Sequence, residues 1–170
     1  MEINQTNYHI DGMNPSDWDQ IRQIYLDGIK TGLATFQTGA PEWSEWDQSH
    51  VKTCRIVARS EGSILGWAAL SPTSSRCCYK GIGEISIYIS DTRKGQGVGT
   101  ALLKYLIHDA EDNGFWTLQS AITRENKTSL ALHAKCGFRE IGFRERIAQM
   151  PDGSWHDVIL MERRSPIIGI

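Results

Sequence analysis

The sequence predicts a single domain of mixed α/β type, and two observations carry that reading. Two short apolar runs, Arg55 to Arg59 and Ile64 to Leu70, flank Glu61-Gly62-Ser63 and read as a hairpin. Further on, a β-branched run from Glu84 to Ile89 passes through a glycine-spaced turn into a leucine-rich segment, and more strand and helix signals follow. Hairpin strands early and strand–helix–strand units late make a mixed sheet flanked by helices. At 170 residues, 40% of them hydrophobic, the chain is long enough to bury a substantial core.

The elements follow in order. Ser16 reads as the N-cap of a first helix, with Asp17 and Asp19 in its first turn, and Trp18, Ile21, Tyr25 and Ile29 recur at helical spacing before Gly32. Ala40-Pro41-Glu42 introduces a shorter helix that runs to about His50. The hairpin comes next, then a loop from Ser71 to Lys80 and the strand Glu84 to Ile89. Val98 to Asn113 reads as a helix with Leu102, Leu103, Leu106, Ile107 and Ala110 on one face and Gly114 as its C-cap. Phe115 to Ile122 is a strand, Asn126 to Cys136 a helix closed by Gly137, and Phe138 to Met150 contains another strand. Pro151-Asp152-Gly153 turns the chain into a last strand, Trp155 to Glu162.

Composition removes several function classes. A formal charge of -2 and a pI near 6.2 argue against a general binder of nucleic acid or membrane surfaces. No apolar run approaches membrane-spanning length, and Met1-Glu2-Ile3-Asn4-Gln5 shows no secretory leader. Cys54, Cys77, Cys78 and Cys136 form no Cys-x-x-Cys pair, so reduced thiols in a cytoplasmic protein are expected. His9, His50, His108, His133 and His156 have no ligand spacing, and no metal is expected.

The turn Arg93-Lys94-Gly95-Gln96-Gly97-Val98-Gly99-Thr100 is the most informative stretch. A strand delivering such a turn to a helix N-terminus presents unpaired backbone N–H groups to a phosphate or pyrophosphate. It lacks the lysine of a P-loop, and its glycines fall at the first, third and fifth positions rather than those of a dinucleotide fingerprint. A ligand-free connector is the plain alternative.

Arg93 to Gly99 resembles the Arg/Gln-x-x-Gly-x-Gly/Ala signature of the GNAT acetyltransferase superfamily. The run from Asn126 to Gly137-Phe138 resembles the second signature of that family, and the likeness extends over about residues 8–163. Within the family, Leu33-Ala34-Thr35-Phe36, Gly83 to Ile89 and Gly153 to Val158 resemble the phosphinothricin and methionine sulfoximine N-acetyltransferases. The resemblance implies a GNAT fold, a strongly bent, mostly antiparallel sheet flanked by helices. It implies acetyl-CoA as co-substrate, bound by Arg93 to Thr100, by the Ile87-Tyr88-Ile89 backbone, and by Asn126 and Ser129. It also implies a small amino acid or analogue as acceptor, a toxic methionine derivative and a detoxifying role among the expectations, and a homodimer. Another amine (a protein N-terminus, a polyamine, an aminoglycoside) and a non-catalytic acetyl-CoA sensor stay open.

Acetyl transfer to an amine needs a base for the ammonium proton, donors for the thioester oxygen as it gains charge, and a proton for the departing thiolate. Glu84, a carboxylate in an apolar strand, is the candidate base, with partial burial expected to raise its pKa. N–H groups of Ile87 to Ile89 are the candidate oxyanion donors. His133 stands seven residues after Asn126, where relatives carry a thiolate-protonating tyrosine; it either moves a proton or packs beside Trp155 or Phe138. Arg76 is the candidate carboxylate holder, Thr35, Phe36, Trp67 and Tyr79 candidate pocket walls, and Trp155-His156-Asp157 structural support.

Overall fold

Asn14, not Ser16, begins the first helical stretch. In the computed structural model, which describes residues 7–170, Pro15–Asp17 form one 3-10 turn, and the Asp17 carboxylate reaches back to accept the Asn14 N–H at 2.9 Å. Helix α1 (Trp18–Lys30) follows directly and buries Trp18, Ile21 and Ile24. Helix α2 (Trp43–Ser49) is short and buries Trp46. The opening segment, 1–6, in which no leader is expected, lies outside the described residues.

The sheet has seven strands: β1 (His9–Gly12), β2 (Arg55–Ser60), β3 (Ser63–Pro72), β4 (Ile82–Ile89), β5 (Thr117–Thr123), β6 (Arg139–Gln149) and β7 (Trp155–Arg164). Their spatial order is β1-β2-β3-β4-β5-β7-β6, and every pairing is antiparallel except β4 with β5. Glu61 (φ 48°) and Gly62 (φ 80°) supply the two left-handed residues of the β2–β3 hairpin, as a two-residue turn between twisted strands requires. β1 was not evident in the sequence; its four residues carry little apolar pattern of their own.

The continuous apolar run Ile64 to Leu70 is explained by burial on both faces. On one face, Ala58, Ala68, Leu70 and Ile85 pack against Val98, Leu102, Leu103 and Leu106 of α3 (Val98–Asp112). On the other, Val57, Ile64, Trp67 and Ala69 meet Trp18, Ile21 and Trp46. Gly114 ends α3 at φ 85°, as the sequence predicts. Helix α4 (Lys127–Lys135) is capped by Asn126, whose Oδ1 accepts the Ser129 N–H at 3.1 Å.

The parallel β4–β5 pairing covers only Ile82↔Thr117, Gly83↔Leu118 and Glu84↔Gln119. Beyond Glu84 the two strands part. β3 holds β4 as far as Ile89, and β7 holds β5 as far as Thr123. A bent sheet with an open wedge results.

Arg59 fastens the first three elements together. It donates to Asp17 at 2.8 and 3.0 Å and to Asp11 of β1 at 3.2 to 3.4 Å. The hydrogen bonds from Arg59, opposed by burial, hold the Asp17 carboxyl below the usual carboxylate range. The stabilisation is therefore present above the unfolded-state pKa, about 3.9, and is lost as pH falls through the lower folded value. Arg59→Met should destabilise the fold by about 3 kcal/mol at pH 7, since it strands a buried carboxylate. Urea melts from pH 7 downward should show that deficit shrinking as Asp17 takes up its proton; a deficit that is constant with pH would contradict the assignment.

Candidate active site

The wedge between β4 and β5 is a cavity of about 220 Å³. Glu84 is the last paired residue of β4 and stands at its head, and the β4 wall continues through Ile87 and Tyr88. Ser120 and Thr123 form the β5 wall, Asn126, Ser129 and His133 come from the α4 side, and Thr35 and Phe36 close it from the segment after α1. Because β4 has no partner on this side after Glu84, alternate backbone groups of Ile85 to Ile89 face the wedge unpaired. The backbone groups of Ile87 to Ile89, the candidate oxyanion donors, are among them.

The closing segment is tied down by hydrogen bonds across the chain. The Leu33 carbonyl accepts the Thr123 hydroxyl at 2.6 Å and the Asn126 Nδ2 at 3.4 Å. Both ends of the Asn126 amide are thus engaged, one capping α4 and the other holding Leu33. Beside the wedge the Tyr88 hydroxyl donates to the Ala34 carbonyl at 3.5 Å, and burial pushes the Tyr25 and Tyr88 phenols up, so both keep their protons at neutral pH.

At the far end of β4 the glycine turn opens α3. Gly95 and Gly97 have φ values of 75° and 82°, and no atom lies within 4 Å of where a Cβ would sit on either, so the turn is open to a ligand. Gly97 caps α3 without a side-chain acceptor, leaving the first-turn N–H groups of Val98, Gly99 and Thr100 without intrahelical partners. Among the described residues the Arg93 guanidinium reaches only the Gln96 Oε1, at 3.5 Å, while Lys94 pairs with Asp91. Gly99 differs from these two: a Cβ there would make ordinary contact with Leu132 and Ile89, at 3.4 and 3.5 Å.

His133 is 1% exposed. Its Nδ1 lies 2.8 Å from the Ser129 carbonyl, which can only accept, so the proton sits on Nδ1. Burial holds the ring below the usual histidine range despite that bond, and Nε2 has no partner among the described residues. A ring in this state offers Nε2 as a hydrogen-bond acceptor, with burial opposing its protonation, and it has no free N–H with which to protonate a thiolate. It also packs edge-on against Phe138 at 5.1 Å, the contact foreseen for it.

Two expectations meet a different geometry. Glu84 is exposed rather than partly buried, because its side chain stands on the sheet face where both cavities open and not on the face that α3 covers. Arg76 and Tyr79 are not brought to the cavity walls. They sit on the exposed loop before β4, the guanidinium 5.9 Å from the Tyr79 ring, and Arg76 has no carboxylate partner among the described residues. Asp157 acts in support, accepting the Arg146 N–H at 2.8 Å and Arg124 at 3.3 Å.

A second cavity, about 760 Å³, adjoins the wedge through Thr35, Glu84, Ser86 and Tyr88, which line both. Tyr25, Trp46, Trp67 and His50 wall it, with Glu45 and Ser49 from α2. Trp67 was expected. Tyr25 and Trp46 were not, since a helical apolar stripe looks the same whether it faces a core or a pocket.

A split strand, a cationic glycine turn at a helix N-terminus and a carboxylate where the sheet opens define an acyl-transfer site, and the chain belongs to the acetyltransferase (GNAT) family, whose model matches residues 18–138. It is 34% identical over 154 residues to a phosphinothricin N-acetyltransferase of Alcaligenes faecalis, covering 86% of this chain and 77% of that one. An L-methionine sulfoximine/L-methionine sulfone acetyltransferase of Pseudomonas aeruginosa is 30% identical over 107 residues, 63% of this chain and 62% of that one. Among solved structures, a phosphinothricin acetyltransferase from Sinorhizobium meliloti in complex with AcCoA superimposes with a TM-score of 0.85 at 26% identity, covering 96% of this chain and 91% of that one. No helix among the described residues is long and apolar enough to cross a membrane, and no group of metal-binding side chains is found among them.

The His133 geometry is open to direct measurement. Nitrogen NMR of the ring should show the Nδ1–H tautomer, with titration below the ordinary histidine pKa of about 6.5. An Nε2–H tautomer, or a ring charged at pH 7, would contradict the reading.

Proposed function

We propose that the protein transfers the acetyl group of acetyl-CoA to the α-amine of a small amino acid or close analogue. The observation that carries this is the position of Glu84, the last paired residue of β4, on the walls of both cavities. The residues present suit acetyl-CoA: an uncapped helix N-terminus beside Arg93 for the pyrophosphate, and an unpaired strand edge for a chain of amides. Acetyl-CoA supplies an activated acetyl thioester. Arg93, Gly95 and Gly97, with the first turn of α3, hold the phosphates. The unpaired N–H groups between Ile87 and Ile89 steady the thioester oxygen, and one such donor is worth about 2.7–4 kcal/mol in comparable sites. Asn126 and Ser129 border the same groove.

The acceptor amine enters from the larger cavity and loses its proton to the Glu84 carboxylate, directly or through water. Glu84 is exposed, so the bound acceptor itself must exclude solvent from it. The neutral His133 Nε2 is a hydrogen-bond acceptor on the same wedge. Arg76 has no carboxylate partner among the described residues and is assigned the acceptor carboxylate; it lines neither cavity, so its loop must carry it to the larger one. The assembly is a homodimer through the β6 edge: β6 is the outer strand of the sheet, and Ile141, Phe143 and Ile147, with Trp155 on β7, are large apolar side chains left exposed there. Sedimentation equilibrium reads its mass. The exposed Cys77 and Cys78 fit a reducing, cytoplasmic setting, and detoxification of amino-acid analogues is the role this reading carries.

A thiol-release assay tests the reading. Glu84→Gln should lower turnover about 10²-fold or more while leaving acetyl-CoA affinity in calorimetry unchanged. Near-normal turnover would remove Glu84 from the chemistry. Arg76→Ala should cost about 1.5–3 kcal/mol in kcat/KM for an amino acid, but little for its methyl ester; equal losses for acid and ester would remove Arg76 from carboxylate recognition.

A further inference from the structure

A third cavity, about 500 Å³, shares no lining residue with the two that meet at Glu84. It opens at the rim of the sheet, where the end of β1, the start of β2, α2 and the C-terminal half of α3 come together. Sites for small molecules run from about 300 to 1,000 Å³. Acetyl transfer makes no use of this one.

Trp43 and Tyr105 give the cavity its flat apolar surfaces. Trp43 is half-buried and held in place by Trp46, stacked at 5.6 Å, and by Trp18, edge-on at 5.5 Å. The Tyr105 ring is 46% exposed, a large side chain that the core leaves uncovered. Cys54 adds no reactive group, since burial pushes its thiol up to about 11 and keeps it protonated.

The charges along the wall are unevenly met. Lys52 and Arg55 both pair with Asp47, and Arg55 donates as well to the Val51, Asp47 and His50 carbonyls. Asp109 is left as the lining charge without a counter-ion among the described residues; its Oδ1 accepts only the neutral Asn113 Nδ2, at 3.1 Å. Burial, with the Asp112 charge one turn further along α3, holds the Asp109 carboxyl above the usual carboxylate range. His108 stands 3.5 Å from Asp112, and Lys104 lines only a neighbouring groove along Ile10, which shares Tyr105 and Asp109 with the cavity. A half-buried carboxylate in this position gains from an incoming cation. A ligand carboxylate gains nothing comparable, because the two cations within reach are already engaged by Asp47.

We propose that this cavity binds an organic cation, a primary amine with a flat apolar body and no carboxylate, its ammonium on Asp109 and its body against Trp43 and Tyr105. The site is separate from acetyl transfer and stands or falls without it.

Calorimetry on the whole protein tests it with phenethylamine and L-phenylalanine, which share a phenyl ring and an ammonium and differ by one carboxylate. Either compound can also enter the acceptor cavity, so the binding that belongs to this site is the part that Asp109→Asn removes. That change keeps the side-chain shape and takes away a charge that the fold already disfavours. It should weaken phenethylamine about 10-fold or more, the size of one charge-assisted contact, and leave phenylalanine within about 2-fold. Tyr105→Ala, at an exposed ring, should weaken phenethylamine several-fold by lost packing. Phenethylamine that binds equally well to Asp109→Asn or to Tyr105→Ala lies elsewhere, and the proposal is overturned. A loss for phenylalanine as large as that for the amine overturns the exclusion of carboxylates. No heat from phenethylamine overturns the site altogether.

Discussion

The structure depends on one interruption: β4 and β5 pair for three residues and then separate. Everything that makes a site follows from it. The interruption frees the backbone of Ile85 to Ile89 on one side, opens the wedge that Ser120, Thr123 and His133 line, and leaves Glu84 at the point of divergence. An isolated split in a sheet would be unfavourable, because unpaired buried backbone groups cost free energy. Here each arm is held from its outer side, β4 by β3 and β5 by β7, so the gap is rigid although it is empty of pairing. The Leu33 carbonyl braces it further by accepting from Thr123 and Asn126 on the opposite arm.

The acceptor side needs its own rigidity, and Arg55 supplies it. Its guanidinium lies over Trp46, donates to the Asp47 and His50 carbonyls at 2.9 Å, and pairs with the Asp47 carboxylate. A seven-residue helix would not persist alone. Bound at its carbonyl end by an arginine from β2, α2 can present Trp46 and His50 as a fixed wall. The Arg59 cluster does similar work at the other end of the same strand, fixing the start of α1.

How much of this was legible in the sequence depended on distance along the chain. The β2–β3 hairpin, the α3 stripe, the Gly114 C-cap and the glycine turn are local patterns, and each was readable within a dozen residues. The start of the first helical stretch was misplaced by two residues because Asn14 and Ser16 are equally good caps, and only the Asp17 contact to Asn14 decides between them. Glu84 was placed correctly on its strand, but its exposure depends on how α1, α2 and the segment around Thr35, dozens of residues earlier, leave that face of the sheet open. The Leu33 brace joins residues 90 and 93 positions apart, and no spacing announces it. Arg76 shows the converse: a residue type suited to a carboxylate can be recognised in sequence, while the direction of an exposed loop cannot.

The two ends of the proposed reaction ask for opposite surroundings, and β4 keeps them apart. Phosphates need donors and positive charge; an amine that must shed a proton needs a carboxylate and little competing cation. The glycine turn with Arg93 follows the C-terminal end of β4, and Glu84 lies near its N-terminal end. Five residue steps separate Glu84 from Ile89, roughly 16 Å at about 3.3 Å per step. That is about twice the Debye length at physiological ionic strength, roughly 8 Å, so the cation at one end weakly perturbs the base at the other. The same length is a strand's worth of unpaired backbone, suited to a thin amide-bearing arm lying between them. One uninterrupted strand thus sets the separation, supplies the hydrogen bonds along it and carries the proton acceptor at its start.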